Sequence, residues 1–255
     1  PGCADPHAPV AMSRVVVEWV LLDIEGTTSN LAFVHEVLFP YARARMRDYL
    51  SENRGHPVVT EVLDQVARDT GAGSFRDWCP PGMPEQAEVE WVVGHLHGLM
   101  DRDSKTTGLK RLQGLIWEGG YRDGTLRSHV FDEVPMALKR WQQAGIGLAI
   151  YSSGSVAAQK LYFAHTVAGD LGGFFAHHFD TTVGGKREAA SYRRIVGDLG
   201  GNPRRILFVS DVAEELDAAA EAGLQTALAE RPGNRPVPEC RHPRVRVLTD
   251  LVLER

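Results

Sequence analysis

The feature that most constrains this chain is an apolar stretch that ends in two acids and a glycine. Val15–Leu22 is mostly apolar and β-branched, with Glu18 as its one charge, a pattern typical of a strand covered on both faces. Asp23 and Glu25 follow directly, and Gly26 then breaks the chain. In an open α/β sheet, ligands bind outside the carboxyl ends of such strands. The stretch therefore predicts a parallel sheet with a ligand site after its first strand.

The two acids need a partner. Asp23 and Glu25 are two residues apart, so their side chains would point the same way along an extended chain. Crowded carboxylates repel each other unless a cation or a proton lies between them. The Gly-Thr-Thr segment that follows supplies a flexible turn, hydroxyls and N–H groups suited to an anion. A cation and a phosphate would fit together here, although a simple strand-end cap stays open for this stretch considered alone.

Charge and composition exclude several classes of protein. A net charge of −5 and the lack of a lysine-arginine block argue against a nucleic-acid surface. No apolar run approaches the length that spans a bilayer. Cys3, Cys79 and Cys240 are far apart, unlike the ligands of a zinc site or the cysteines of a disulfide framework. We expect a cytoplasmic monomer with a small anionic substrate and without nucleic-acid or membrane partners.

The apolar pattern divides the chain into a leader, a core and an insert. Residues 1–12 carry three prolines and no hydrophobic period, which predicts a disordered leader. Residues 29–127 have helical spacing and are predicted to form a helical cap inserted after the first strand. Residues 13–28 and 128–255 form the predicted α/β core. The helices of the insert are expected at Phe33–Leu50, Val58–Arg68, Glu85–Met100 and Thr107–Trp117.

Beyond the insert, strand and helix patterns alternate. This alternation predicts a doubly wound, Rossmann-like parallel sheet, with the cap above its carboxyl edge like a lid. The predicted strands are Gly147–Tyr151, His177–Asp180, Arg205–Val209, Leu224–Ala229 and Val245–Leu248. The predicted helices are Val134–Gln143, Val156–His165, Glu188–Leu199 and Ala213–Ala222.

Polar side chains follow four of these core segments. The topology predicts that they meet at one edge of the sheet. The residues are Asp23 with Glu25, Ser152 with Ser153, Lys186, and Ser210 with Asp211.

Each residue type has a role if the substrate is a phosphate ester. Asp23 can attack phosphorus and form an aspartyl-phosphate, which splits one difficult displacement into two easier ones. Hard oxygen ligands from Asp23, Asp211 and the Glu25 position can hold a magnesium ion that neutralises the reacting anions.

The remaining polar residues suit the phosphoryl group and proton transfer. Ser152 or Ser153, with N–H groups at the start of the next helix, can hold phosphoryl oxygens. Lys186 can neutralise both the nucleophile and the transferring group. Glu25 can protonate the leaving oxygen or activate water for the second step.

These motifs resemble those of the haloacid dehalogenase-like hydrolases. Phosphatases of that superfamily usually have Asp at the position of Glu25, and a Glu there is similar to the enolase-phosphatases of methionine salvage. Further stretches carry the same resemblance, namely Ala32–Val34, Leu38–Tyr41, Asp101–Thr107, Leu112–Gly114, Tyr151–Val156, Gln159–Leu161, His178–Thr181 and Arg231–Asn234.

The resemblance implies a substrate and a set of ligands. The family enolises 2,3-diketo-5-methylthiopentyl 1-phosphate and then removes the phosphate to leave acireductone. It implies one magnesium ion per site, bound by Asp23, Asp211 and the main-chain carbonyl at Glu25. It also implies that Ser152, Ser153 and Lys186 bind substrate. Glu25 is the first choice for the base of enolisation, with Lys186 and cap residues left open.

Rival interpretations remain at this point. Another small-molecule phosphatase, of the sugar-phosphate or phosphoglycolate type, would share every core motif. A dehalogenase would need Asp23 but no metal, and the additional acids Glu25 and Asp211 argue against it. A non-enzymatic binder would not need an intact nucleophile, base and lysine. The role of Glu215, four residues after Asp211, stays open between a second acid of the site and an exposed helix residue.

Overall fold

A six-stranded parallel sheet forms the centre of the α/β part of the molecule. The computed structural model describes residues 14–255, and the leader predicted for residues 1–12 lies outside this range. The strands are β1 (Val15–Val16), β2 (Trp19–Leu22), β3 (Gly147–Tyr151), β4 (His177–Phe179), β5 (Ile206–Ser210), β6 (Gln225–Ala229), β7 (Arg244–Val245) and β8 (Leu253–Glu254).

Ten α-helices complete the described chain, with a π-helical turn at Val34–Leu38 and 3₁₀ turns at Gly172–Phe174, Pro203–Arg205 and Leu248–Asp250. They are α1 (Leu31–Phe33), α2 (Phe39–Glu52), α3 (Pro57–Asp69), α4 (Phe75–Trp78), α5 (Glu85–Asp101), α6 (Thr107–Arg122), α7 (Val134–Gln143), α8 (Val156–Ala164), α9 (Ala189–Leu199) and α10 (Ala213–Glu221). None of the helices between residues 14 and 255 is both long and apolar enough to cross a membrane.

The strand order places β2 in the middle of the sheet. The order is β4-β3-β2-β5-β6-β7, and every neighbouring pair is parallel. Leu22 is in register with Ile150 of β3 and Val209 of β5. The carboxyl ends of these three strands therefore lie side by side, which confirms the predicted α/β fold and its parallel sheet.

The sheet is held by apolar side chains that the helices cover. Val20, Leu21 and Leu22 of β2 are fully buried, as the near-continuous apolar sequence predicts. In α9, Tyr192 and Ile195 are buried in the same cluster as Leu21, three residues apart on one face of the helix. Burying each such side chain stabilises the fold by about 1.5–3 kcal/mol.

The chain separates into two compact units. One consists of the described residues up to Val34 together with Arg127–Arg255, and the other is His35–Leu126. The second unit is helical and has its own core, which includes Met46, Val62 and Leu112. The sequence placed the insert at 29–127, and its role as a cap stays a prediction.

Two strand predictions need correction. The stretch Val15–Leu22 is not one strand, because Val17 N–H donates to the Glu254 carbonyl while Glu18 N–H donates to the Arg205 carbonyl. The chain thus changes partner here, and β1 pairs with β8 in a separate two-stranded sheet. The last strand of the main sheet is Arg244–Val245, not Val245–Leu248, because residues 248–250 form a 3₁₀ turn.

The other strands differ from their predicted bounds by at most one residue at either end, and the larger remaining differences concern helices. The predicted helix Phe33–Leu50 contains the π-helical turn and ends at Glu52, and the predicted Thr107–Trp117 extends to Arg122. Helix α4 was not predicted, because it lies between Gly71 and Pro84, a segment rich in glycine and proline. Ser74 starts it by accepting a hydrogen bond from Asp77 N–H. Helix α7 and strand β3 coincide with their predicted bounds.

His178 on β4 gives the fold a dependence on pH. Its Nδ1 lies 3.3 Å from Gln159 Oε1, and burial, with smaller contributions from Lys160 and His177, lowers the pKa of His178 to about 4. The ordinary pKa of histidine is about 6.5. Between these two values the unfolded chain binds a proton that the folded chain does not, so His178 destabilises the fold as the pH falls.

We expect His178→Gln to weaken this dependence. Between pH 7.5 and pH 5, wild type should lose about 1 kcal/mol more free energy of unfolding than the variant, a value reduced for the partial exposure of the ring. Urea-induced unfolding of both proteins at the two pH values measures these losses. The difference between the two proteins at pH 7.5 gives the effect of losing the contact with Gln159, independent of protonation. Equal losses in the two proteins would contradict the expectation.

Candidate active site

Asp23 lies where β2 ends, with each carboxylate oxygen in a different contact. Its N–H donates to the Val209 carbonyl over 3.0 Å, which continues the hydrogen bonding of β2 to β5. The Ile24 N–H donates to Asp23 Oδ1 over 2.8 Å. Asp23 Oδ2 lies 2.7 Å from the Lys186 ammonium. The residue is only 5% exposed, so a buried carboxylate is held in a fixed orientation.

Gly26 makes the turn after Asp23 possible. The N–H groups of Thr27, Thr28 and Ser29 all donate to the Ile24 carbonyl, over 2.9–3.2 Å. Gly26 has φ +67°, and a Cβ there would lie 2.3 Å from Asp211 Oδ2. A glycine is therefore required both by the backbone angle and by the close approach of Asp211. Glu25, half-buried, lies in the same turn and forms a short parallel bridge with Ser29.

Lys186 is buried between two carboxylates. Its ammonium is 2.7 Å from Asp23 Oδ2 and 2.7 Å from Glu215 Oε2, and its side chain is 10% exposed. Burial lowers the pKa of Lys186, but the charges of Asp23 and Glu215 outweigh burial and raise it above its ordinary value. Ser210 Oγ donates to Glu215 Oε2 over 2.9 Å. The lysine is thus charged, and Glu215 belongs to the site and not to an exposed helix face.

The loop that carries Lys186 is held by buried hydroxyls. Tyr192 donates to the Lys186 carbonyl over 2.7 Å, and Tyr151 donates to the Gly184 carbonyl over 2.9 Å. Ser191 Oγ donates to the Gly185 carbonyl over 2.8 Å. These bonds come from β3 and α9, so the position of the ammonium is fixed by elements of the core.

The loop after β3 carries Ser152 and Ser153 and is called the serine loop. Side-chain hydrogen bonds hold it in a similar way. Gln159, which is buried, donates through Nε2 to the carbonyls of Gly154 and Phe179, each over 2.8 Å. Ser152 is buried, and its Oγ accepts from Gly154 N–H over 3.3 Å. Ser153 is exposed. Because β3 neighbours β2, this loop follows the strand next to Asp23, and α8 begins just beyond it.

Asp211 behaves as a carboxyl that needs a cation or a proton. Burial, together with the nearby charge of Asp23, raises the pKa of Asp211 to about 7, although Lys186 opposes the shift. Asp23 is buried and Asp211 is half-buried beside one turn, and their carboxylates are hard oxygen donors of the kind that magnesium prefers. Across residues 14–255, no cluster of three or more His, Cys, Asp or Glu side chains is arranged for a metal. A magnesium site here would therefore combine Asp23 and Asp211 with a main-chain oxygen, and the residues present fit that set.

The predicted site residues converge to different degrees. Asp23 and Lys186 are in direct contact, and Asp211 packs against the turn that contains Glu25. Ser152 and Ser153 lie on the neighbouring loop. The assignment of all these site residues to catalysis, substrate binding and metal binding stays a prediction.

Sequence reasoning missed contacts made by other polar residues at the same edge. Ser210 joins Glu215 to the Asp23 region, and Gln159 holds the serine loop. Asn234 and Arg231 bind the backbone of the Gly26 turn. The available signal was the position of Arg231–Asn234 just after the end of β6, at the edge where the other polar residues meet.

Three comparisons place the chain among known proteins. Residues 17–223 match the family model of the haloacid dehalogenase-like hydrolases. The chain is 48% identical over 219 residues to Enolase-phosphatase E1 of Xylella fastidiosa (strain M12), covering 86% of this chain and 89% of that protein. It is 46% identical over 239 residues to Enolase-phosphatase E1 of Gluconacetobacter diazotrophicus, covering 94% of each. The solved structure of the UTR4 protein of Saccharomyces cerevisiae is similar with a TM-score of 0.75 at 32% identity, covering 90% of this chain and 97% of that chain.

The geometry of the turn leads to one expectation. Gly26→Ala should lower any activity of the site by at least about 100-fold, because the added methyl group forces Asp211 and the turn apart. Gly197→Ala in α9 is the matched control, because a Cβ there meets nothing within 4 Å. Steady-state hydrolysis of a phosphate ester and thermal unfolding of both variants provide the measurements. Wild-type activity in Gly26→Ala would contradict the close approach of Asp211.

Proposed function

The chain belongs to the haloacid dehalogenase-like hydrolases and, within them, to the enolase-phosphatases, and on this premise we propose the reaction that it catalyses. It converts 2,3-diketo-5-methylthiopentyl 1-phosphate to acireductone and phosphate in methionine salvage. The observation that carries the proposal is the buried Asp23 carboxylate, held by Ile24 N–H and Lys186, in a chain related over most of its length to proteins of this name.

The proposed reaction has an enolase half and a phosphatase half, and the phosphatase half begins with attack by the Asp23 carboxylate. A carboxylate oxygen attacks phosphorus, the ester bond to the substrate oxygen breaks, and that oxygen takes a proton from the Glu25 carboxyl as it leaves. Water then attacks the phosphorus of the aspartyl-phosphate and gives a proton to the Glu25 carboxylate, which releases phosphate and restores the Asp23 carboxylate. Lys186 balances the negative charge on the nucleophile and on the phosphoryl group in both steps. Ser152 and Ser153 bind the other phosphoryl oxygens.

The site is proposed to use one magnesium ion. Asp23, Asp211 and the main-chain carbonyl at Glu25 would hold it, and a bound Mg²⁺ supplies charge neutralisation at the phosphoryl group and at a developing enolate. The fit rests on the two crowded carboxylates and on the raised pKa of Asp211. Lys186 remains next to Asp23 to orient and neutralise its second oxygen.

The enolase half needs a base that removes a proton from the carbon next to a carbonyl. Glu25 is proposed for this role, because a metal bound through its main-chain carbonyl does not use its carboxylate. Lys186 is the alternative within the core, but its raised pKa keeps it protonated and makes it a poor base. The helical unit His35–Leu126 is proposed to act as the cap, and the protein is proposed to work as a cytoplasmic monomer.

Asp23→Asn tests the phosphatase half. We expect phosphate release from the diketone and from an aryl phosphate to fall at least about 1,000-fold, because an amide oxygen is a poor nucleophile. Chelation of magnesium should abolish wild-type activity, and added magnesium should restore it. Asp198→Asn, at an exposed position of α9, is the matched control and should keep wild-type activity. A fully active Asp23→Asn protein would exclude the aspartyl-phosphate route.

Glu25→Gln separates the two halves. We expect the ultraviolet absorbance of the enol to form at least about 100-fold more slowly, the usual contribution of a general base. The first turnover of an aryl phosphate should change less, because its leaving group needs no proton. Enol formation at the wild-type rate in this variant would assign the base to Lys186 or to the cap.

A further inference from the structure

Two side chains from the loop after β6 hold consecutive carbonyl groups of the Gly26 turn. Asn234 Nδ2 donates to the Gly26 carbonyl over 2.8 Å. Arg231 Nε donates to the Thr27 carbonyl over 2.9 Å. Neither side chain was assigned a role in the reaction above. Both belong to the α/β unit, as does the turn.

The amide of Asn234 is aimed at backbone carbonyls. Its Nδ2 also donates to the Ala229 carbonyl over 3.0 Å, and two carbonyl acceptors fix which end of the amide is nitrogen. Among the described residues, its buried Oδ1 has no hydrogen-bond partner. An unsatisfied buried oxygen costs about 1–3 kcal/mol, so stability alone is a weak reason for an amide at this position.

Arg231 contacts Glu133, the Arg246 carbonyl and Phe131, and it donates through Nε–H to the turn. Its side chain is 2% exposed. Nη1 pairs with Glu133 Oε1 at 2.6 Å and donates to the Arg246 carbonyl over 2.6 Å. The guanidinium lies over the Phe131 ring at 4.4 Å. The Thr27 carbonyl is therefore attached to a rigid part of the core.

These bonds matter because the turn contains a glycine at a position that must be placed accurately. A glycine with positive φ has access to many backbone conformations, yet Gly26 must remain against Asp211 only three residues after Asp23. The bonds to Gly26 and Thr27 define the orientation of the peptide groups between these two carboxylates. An error of about 1 Å in such a placement can lower a rate by about 100-fold.

We propose that Asn234 and Arg231 are positioning residues that set the geometry of the Gly26 turn, which follows the nucleophile Asp23. The inference rests on the proposed function for its kinetic consequence. Neither side chain touches a reacting atom; each acts through the backbone of Gly26 or Thr27. Their loss should therefore reduce turnover more than substrate binding.

The test compares Asn234→Ala, Asn234→Asp and Arg231→Lys with wild type. Asn234→Asp keeps the shape of the side chain but replaces the donor by a charged acceptor facing two carbonyls. Arg231→Lys keeps the charge opposite Glu133 but loses the fixed Nε–H. Asn202→Ala is the control, because Asn202 also makes one side-chain hydrogen bond to a backbone group, the N–H of Arg204, at an exposed 3₁₀ turn.

Two independent measurements are made on each full-length protein. The first is kcat and KM for the diketone and for an aryl phosphate, with magnesium. The second is hydrogen exchange in the metal-free protein over a peptide that contains residues 23–29. We expect kcat to fall by about 10- to 100-fold in Asn234→Ala and Arg231→Lys, and further in Asn234→Asp, with KM within about 3-fold of wild type. Exchange at residues 27–29 should rise in these variants and not in the control.

Each possible result decides the inference. If either kcat or the exchange at residues 27–29 is unchanged, the inference is overturned while the proposed function stands. Increased exchange throughout the sheet would show a general structural role and would also overturn it. If wild type hydrolyses neither ester, the proposed function fails, and the exchange data alone then decide whether these side chains hold the turn.

Discussion

The arrangement of the site depends on one buried ammonium group. Lys186 lies 2.7 Å from both Asp23 and Glu215, and without it two carboxylates would be buried close together with Asp211 beside them. Removing the positive partner from such a cluster leaves charges that neither water nor protein compensates, which is strongly unfavourable. The lysine thus places a positive charge against both Asp23 and Glu215 inside the protein. Burial, and then the charge of Asp23, raise the pKa of Asp211, although Lys186 opposes the shift.

The loops around this cluster share a mode of construction. A buried or half-buried side chain from a regular element or a neighbouring loop donates to a backbone carbonyl of the loop that carries the reactive group. Tyr192 does so for Lys186, Gln159 for the serine loop, and Asn234 for the Gly26 turn. Loops at a sheet edge have few backbone partners of their own. These bonds satisfy them and also limit the positions that the reactive groups can take.

The scaffold and the chemistry are separate questions. A parallel sheet with acids at its carboxyl edge supports many reactions, so the fold does not identify the substrate. The relation to enolase-phosphatases covers both the α/β unit and the helical unit, because the match with the Gluconacetobacter diazotrophicus protein includes 94% of each chain. Glu25 is the position in the turn that we propose distinguishes this reaction from that of a simple phosphatase. Its main-chain and side-chain groups are proposed to serve different halves of the reaction.

The sequence by itself determined the alternation of strands and helices, the helical insert and the strand ends that carry polar residues. These properties follow from local periodicity and from the position of Gly26 after a buried strand. It did not determine the break between β1 and β2, because only the partners Glu254 and Arg205 define it. The roles of Ser210, Glu215, Asn234 and Arg231 likewise depended on tertiary structure. Each acts on a group brought close by the parallel order of the strands, and for Asn234 and Arg231 that group is about 200 residues away in the chain.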